Sequence, residues 1–333
     1  HSDVVVGSYN NPLDRLSGGA VYVIFGHPTE YAFAAVDTAD FVSSSTVGVM
    51  IVGGGSNTDL SCVFVASAGD VNNDGFDDIV LRSLLGYAAV VFGKDNADIA
   101  TIDLLQFPAN NLGFIVTSYL YSRVMVAGAG DVNGDGIDDL LIGAPSTAYA
   151  TRQEAGVVYV IFGKPSSAPV ANIALNTFAS GVHGIRLLSS AAGSRFGEGV
   201  SAVGDLNRDG VQDFAVVSLA GNNVNKLYVL SLPADAAPVE WSDIDLNEDY
   251  QLGTVKGTEI QGAEDDGVSA VCFVGDFNGD STDDVLIGVH TMLDPVSGKT
   301  TGGAYLLFSP SIGSPYDPTL PIDLAAFVSN GGT

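Results

Sequence analysis

Positive charge is scarce in this chain. Only 12 Lys and Arg stand against 39 Asp and Glu, a formal charge of −27 over 333 residues. So acidic a chain repels phosphate, which excludes a nucleic-acid partner. Cysteine is nearly missing: Cys62 and Cys272 lie in apolar, strand-like runs and read as two buried free thiols, with nothing in their setting to support a disulfide. Histidine is limited to His1, His27, His183 and His290. None has His-Glu-x-x-His spacing, and the Gly-x-Ser-x-Gly elbow, the Gly-x-Gly-x-x-Gly turn after a strand and the Gly-Lys-Ser/Thr phosphate loop are missing too. His27 reads as loop, and His183 and His290 as strand caps. No nucleophile, base and orienter can be assembled, so the chain is not expected to be an enzyme. No stretch of 18 apolar residues occurs, which excludes a membrane-crossing helix and direct insertion.

Glycine and short apolar runs are abundant. There are 41 Gly, 46% hydrophobic residues and 15% charged ones, a balance that suits short strands joined by tight turns. The acidic residues gather in four copies of one motif: DVNNDGFDD from Asp70, DVNGDGIDD from Asp131, DLNRDGVQD from Asp205 and DFNGDSTDD from Asp276. The copies hold four, four, three and four Asp, so metal loops account for much of the imbalance.

The motif starts lie 61, 74 and 71 residues apart, and each copy has the same surroundings. One apolar run precedes the loop (Val124 to Gly130) and another follows it (Leu140 to Gly143). A third begins at Gly156, with counterparts at Gly19, Gly86, Asn225 and Gly303. A fourth begins at Val47, Gly113 and Gly184. Runs of five to eight β-branched and aromatic residues read as strands. Four strands per repeat predict an all-β fold, a β-propeller of four-stranded blades with calcium-binding hairpin loops and about five blades' worth of sequence. Near-continuous apolar runs such as Val157 to Phe162 fit strands buried on both faces. A β-sandwich fits less well, because sandwiches do not repeat one hairpin at a fixed period.

Gly-Asp-x-Asn-x-Asp-Gly-x-x-Asp followed by Leu-Leu-Ile-Gly-Ala-Pro resembles the FG-GAP repeat of integrin α-subunit propellers and their relatives. Phe196-Gly197 and Gly143-Ala144-Pro145 carry the two name-giving elements. Ser61-Cys62, Ser122-Arg123 and Gly267-Val268 stand where Phe-Gly is expected, and Arg82 and Ser218 replace the first Gly of Gly-Ala-Pro. The resemblance implies a usual number of seven blades, metal loops between the two inner strands of a blade, and ligands docking on the opposite face. It also touches phospholipases and polysaccharide-degrading proteins with propeller parts.

The repeats fall at about 54–118, 119–189, 190–262 and 263–333, after a partial blade at 1–53. His1-Ser2-Asp3 aligns with Ile137-Asp138-Asp139, which makes Asp3 the ninth-position ligand of a partial fifth loop. At the other end the run from Pro321 parallels the one from Thr101, and no fourth strand follows it. The chain therefore reads as a piece of a longer polypeptide, truncated at both ends, with a five-bladed ring as the rival.

Each loop offers five oxygens from positions 1, 3, 5, 7 and 9, where position 7 gives its main-chain carbonyl. The sets are Asp70, Asn72, Asp74, Phe76 and Asp78; Asp131, Asn133, Asp135, Ile137 and Asp139; Asp205, Asn207, Asp209, Val211 and Asp213; and Asp276, Asn278, Asp280, Thr282 and Asp284. Hard oxygens in a flexible loop suit Ca²⁺; Zn²⁺ lacks its His and Cys, and Mg²⁺ prefers stricter geometry. Gly75, Gly136 and Gly210 supply the sharp turn. Ser281 breaks that pattern, so the Asp276 site is expected to be the weakest of about four. Crowded carboxylates repel unless a cation lies between them, which makes the ion structural. Glu264-Asp265-Asp266 reads as a solvated turn.

A ligand face would be built from the loops opposite: Tyr9, Tyr119, Tyr121, Tyr149, Arg152, Arg195 and His290 are its candidates. The function read from all this is adhesion or recognition outside the cell or at its surface, with a protein or glycan ligand or neighbouring subunits of an extracellular assembly as partner. A filament or appendage subunit is one alternative, and the propeller part of a hydrolase or lyase another.

Overall fold

The computed structural model describes residues 3–8, 19–26, 41, 48–53, 62–83, 86–95, 101–118, 123–189, 191–219, 225–232, 242–246, 256–261, 267–293, 300–308 and 322–323. They divide into two compact units, one of His1–Val124 with Pro165–Phe178 and one of Met125–Lys164 with Ala179–Thr333.

The first unit opens with strands β1 (Val4–Ser8), β2 (Ala20–Ile24) and β3 (Gly48–Val52), antiparallel neighbours in that order. Its second sheet runs through β4 (Cys62–Gly69), β5 (Asp78–Ser83) and β6 (Tyr87–Val91). The chain then returns to the first sheet: β7 (Thr101–Asp103) pairs in parallel with β3, before β8 (Gly113–Thr117) completes the second sheet.

The second unit repeats the scheme with β9 (Met125–Gly130), β10 (Asp139–Ala144) and β11 (Val157–Ile161). The short β12 (Ile173–Ala174) belongs to the first unit and pairs there with β8, and β13 (Gly184–Leu188) closes the sheet of β9 to β11. The next sheet holds β14 (Gly199–Gly204), β15 (Asp213–Leu219), β16 (Asn225–Ser231) and β18 (Lys256–Gln261); between the last two, β17 (Ile244–Asp245) pairs with β13. A final sheet of β19 (Val268–Gly275), β20 (Asp284–Leu293) and β21 (Thr300–Leu307) follows, and β22 (Ile322–Asp323) pairs with β18.

Five sheets are thus described, three of them four antiparallel strands with a fifth, short parallel one from the following repeat. This is the all-β blade architecture of a β-propeller. In the second unit first strands pack on first strands, β9 on β14 and β14 on β19, while in the first unit β1, the counterpart of β10, packs on β4. The borrowed strand was not foreseen. Its residues do carry the parallel noted between Thr101 and Pro321, since Ile322–Asp323 lies on β18 as Ile102–Asp103 lies on β3.

β15 shows why the apolar runs are continuous. Phe214 and Val216 face a core with Leu141, Val158, Val160, Ile185 and Leu187 of the preceding sheet. Ala215 and Val217 face another core with Val285, Ile287 and Val289 of the following one. Alternate residues point to opposite faces, and here both faces are covered. Each fully buried Leu, Val or Phe stabilises by about 1.5–3 kcal/mol over exposure.

Three expectations change. Cys272 is a free thiol but an exposed one, and Ala270 and Phe273 of the same strand are exposed as well; the Cys62 side chain lies outside the described residues. His290 lies inside β20 rather than at its end, next to an irregularity that interrupts its pairing with β21. Strand register puts Val217, not Ser218, at the place of Gly143: Met125 pairs with Gly143 as Gly199 pairs with Val217.

Candidate metal centre

The four acidic motifs join β4 to β5, β9 to β10, β14 to β15 and β19 to β20, the first two strands of each sheet. Their backbones share one shape. A register shift at the loop edge sets each hairpin's twist. Two left-handed residues then bend the loop back on itself. The fourth position is Asn73, Gly134, Arg208 or Gly279, with φ from 52° to 79°. The sixth is Gly75, Gly136 or Gly210 at φ 92°, 85° and 89°, while Ser281 adopts 67°. The sequence pattern pointed to the sixth position and missed the fourth, because Asn and Arg there give no glycine signal.

This bend turns loop N–H groups onto the acidic side chains. Asp70 accepts from the N–H of Asp74 at 3.0 Å and of Gly75 at 2.8 Å. Asp131, Asp205 and Asp276 do the same with Asp135 and Gly136, with Asp209 and Gly210, and with Asp280 and Ser281. The fifth-position carboxylates accept from the seventh residue: Asp74 from Phe76, Asp135 from Ile137, Asp209 from Val211 and Asp280 from Thr282. Asn133, Asn207 and Asn278 each accept from the N–H of the fifth residue.

The ninth position is the buried anchor. Asp78, Asp139 and Asp284 have 0% exposure and Asp213 has 2%. Each accepts from the second-position N–H of its own loop, Val71, Val132, Leu206 or Phe277, at 2.9–3.0 Å. The other oxygens of Asp78 and Asp139 accept from Gly93 and Gly163, just past the third strand, at 2.8 and 2.9 Å. Asp3 accepts from Gly26 at 2.7 Å, and Val4 pairs with Ile24 as Leu140 pairs with Ile161. Asp3 therefore occupies the geometry of a ninth-position residue.

Burial pushes the carboxyls of Asp78 and Asp213 up to about 7 and that of Asp139 up to about 8, partly offset by these N–H contacts. Neighbouring Asp74 and Asp70 add to the rise at Asp78, as Asp135 and Asp131 do at Asp139 and Asp209 at Asp213.

Among the described residues no three His, Cys, Asp or Glu side chains converge on one point. The donor set nonetheless fits a hard cation. Every candidate side chain offers oxygen, and each Asp oxygen that accepts an N–H has a second lone pair. In the first loop Asn72 is 5% exposed, and its Nδ2 donates to Asp74 at 2.9 Å. Its Oδ1 is buried without a hydrogen-bond partner, an acceptor that a cation would satisfy.

The candidates for a ligand face fare differently. Tyr9, Tyr119 and Tyr121 lie outside the described residues, as do His1, His27 and Glu264 to Asp266. Tyr149 and Arg152 close a small turn by exchanging main-chain hydrogen bonds, between β10 and β11 and so at the end of the sheet away from the acidic loop. The Arg152 guanidinium stands 5.5 Å from the Tyr149 ring centroid, is paired with Asp245 at 2.5 Å and donates to the Ser189 carbonyl. The guanidinium is thus already paired within the fold. Arg195, at φ 45° in the β13–β14 connection, pairs with Glu198 at 3.1 Å. His290 is exposed, with its ring over Gly267. The His183 ring accepts from the Ala179 N–H, and burial holds its imidazole below the usual value.

Residues 125–161 match the FG-GAP repeat. The chain is 37% identical over 112 residues to phosphatidylinositol-glycan-specific phospholipase D of Bos taurus, a match covering 34% of this chain and 11% of the relative. It is 39% identical over 95 residues to integrin alpha-PS5 of Drosophila melanogaster, covering 28% and 8%. Over 155 residues it is 31% identical to integrin alpha-IIb of Homo sapiens, covering 45% and 14%. The matches span at most 20% of the length of these curated relatives. The chain thus carries FG-GAP repeat sequence and is similar to integrin α subunits and to these phospholipases.

Proposed function

We propose that the chain is a non-enzymatic, calcium-stabilised propeller that works outside the cell in adhesion or recognition, or as a building block of an extracellular assembly. Its partner would be a protein or glycan ligand or neighbouring subunits. The observation that carries this reading is the recurrence of one loop backbone in four copies, with an orphaned, buried Asn72 oxygen in the first.

Calcium, when bound, would supply the positive charge that lets the carboxylates of a loop stay ionised side by side. The ions would be held by the five-oxygen sets beginning at Asp70, Asp131, Asp205 and Asp276. Asp3 would serve a further loop of which it is the ninth residue. The buried Asp78, Asp139, Asp213 and Asp284 fix each loop to its sheet, so a filled loop holds the first two strands at one angle. Loops of this type bind weakly, at about 10⁻⁴–10⁻³ M in extracellular modules, which suits a compartment rich in calcium.

A second reading is a propeller part attached to a hydrolase, and the similarity to the phospholipase D relatives favours it. The residues of this chain would then contribute binding rather than chemistry.

Thermal unfolding of the full chain in 10 mM calcium against excess chelator tests the leading reading. Calcium is expected to raise Tm by about 10 °C or more, from several sites each adding about 2.7 kcal/mol near a hundredfold excess over Kd. Coincident melts in the two conditions would overturn it.

A further inference from the structure

The eighth residue of each loop ligates nothing in the scheme above, and in the last two loops it faces the loop before its own. Gln212 is the eighth residue of the loop that begins at Asp205. Its N–H donates to the main-chain carbonyl of Asp131, the first residue of the preceding loop, at 3.1 Å. Its side chain covers Gly130, where an added Cβ would stand 2.8 Å from Gln212 Cγ. Asp283 is the eighth residue of the last loop and repeats the contact: a Cβ on Gly204, just ahead of Asp205, would lie 2.2 Å from Asp283 Oδ2. Gly130 and Gly204 are left-handed, at φ 70° and 82°, and leave room for the neighbour.

We infer that the eighth residue is a positioning residue for the preceding loop, so that Gln212 sets the cation affinity of the Asp131 loop and Asp283 that of the Asp205 loop. This rests on the calcium reading above. The argument is spatial. The ninth side chain turns into its own loop, and the alternation of an extended chain sends the eighth the other way. First strands pack side by side, so the other way is the neighbouring loop. There the eighth residue holds the backbone on which the first ligand is mounted, at Gly130-Asp131 and Gly204-Asp205. An ion in one loop orders its seventh to ninth residues and thereby firms the seat of the preceding loop. The contacts also differ in kind. Gln212 brings a neutral side chain, whereas Asp283 brings a carboxylate beside the Asp205 loop, so its share should weaken with salt.

Hydrogen-exchange mass spectrometry of the full chain along a calcium titration resolves the loops by peptide. In Gln212→Ala, the calcium midpoint for protection of residues 131–139 is expected to rise at least about fivefold, while that of 205–213 moves less than about twofold. Asp283→Ala is expected to do the same to 205–213 and to spare 276–284. Gln212→Glu, which keeps the packing and adds charge, should lower the midpoint of 131–139. Protection of β15 and β16 without calcium confirms that each variant folds. Shifts confined to a variant's own loop, or unshifted midpoints, overturn the inference and leave the calcium reading standing. A wild-type chain that gains no protection with calcium in any loop overturns both.

Discussion

Gly143 and Gly197 meet backbone to backbone. A Cβ on Gly143 would stand 2.3 Å from the Gly197 carbonyl oxygen, and one on Gly197 would stand 3.0 Å from Gly143 Cα. The first lies in β10, the second in the segment leading to β14 of the next sheet. The Phe-Gly and Gly-Ala-Pro elements are therefore two halves of one contact, and Phe196 beside it is 1% exposed. In the preceding repeat Arg82 holds the place of Gly143 and Arg123 that of Gly197. There the Arg82 guanidinium donates to the Val124 carbonyl at 3.3 Å and stands 5.8 Å from the Phe64 ring centroid. A long side chain bridges where two bare backbones would touch.

Gly143→Ala should cost about 1–3 kcal/mol, the usual penalty of overpacking. Gly197→Ala should cost about 1–2 kcal/mol more, because φ is 92° there. Denaturant unfolding measures both, and a Gly143→Ala loss below about 0.5 kcal/mol would contradict the contact. Gly210→Ala has nothing within 4 Å and should show the conformational penalty alone.

Ser281 holds a left-handed conformation that glycine adopts freely. Ser281→Gly is expected to raise stability by about 0.5–1 kcal/mol and to tighten calcium at the last loop. Calorimetric titration reads the second effect; weaker binding would show that the Ser281 backbone is not what limits this site.

The pH dependence of the cation-free chain follows from Asp78, Asp139 and Asp213. Their folded values, about 7, 8 and 7, lie above an unfolded value of about 3.9. Between these limits the folded state binds more protons, so stability must fall as pH rises from about 4 to about 8. In chelator, Tm at pH 5 should exceed Tm at pH 8, and calcium should flatten the slope. A Tm in chelator that rises over this interval would contradict the burial of these groups.

Arg152→Ala should destabilise by about 1 kcal/mol, because it breaks a half-buried pair with Asp245 and the hydrogen bond to Ser189. An unchanged Tm in thermal unfolding would show that this pair adds nothing to stability.

The repeat was legible because its periodicity is local: strand runs, loop and glycine turn follow one another within a few tens of residues. Hence the blades, the loop boundaries and the place of Asp3 could be read from residues alone. What escaped are relationships between repeats. The parallel strand at Thr101–Asp103 is three residues long, too short for periodicity to show. Arg152 read as a surface candidate because its partner Asp245 lies 93 positions away. Gln212 and Asp283 looked like spacers, since their contacts belong to another loop. Cys272 resembled a core thiol because β19 is apolar on both sides in sequence, although Ala270, Cys272 and Phe273 are all exposed.

The borrowed parallel strands put the chain's units of repetition out of step with its sheets. β7, β12, β17 and β22 each belong by sequence to one repeat and by hydrogen bonding to the sheet before it. A cut at any repeat boundary therefore strips a strand from the neighbour left behind, like unhooking a clasp. Because β7, β12 and β17 each lie in the chain between the third and fourth strands of their own repeat, no single cut there frees one module without taking a strand from a sheet.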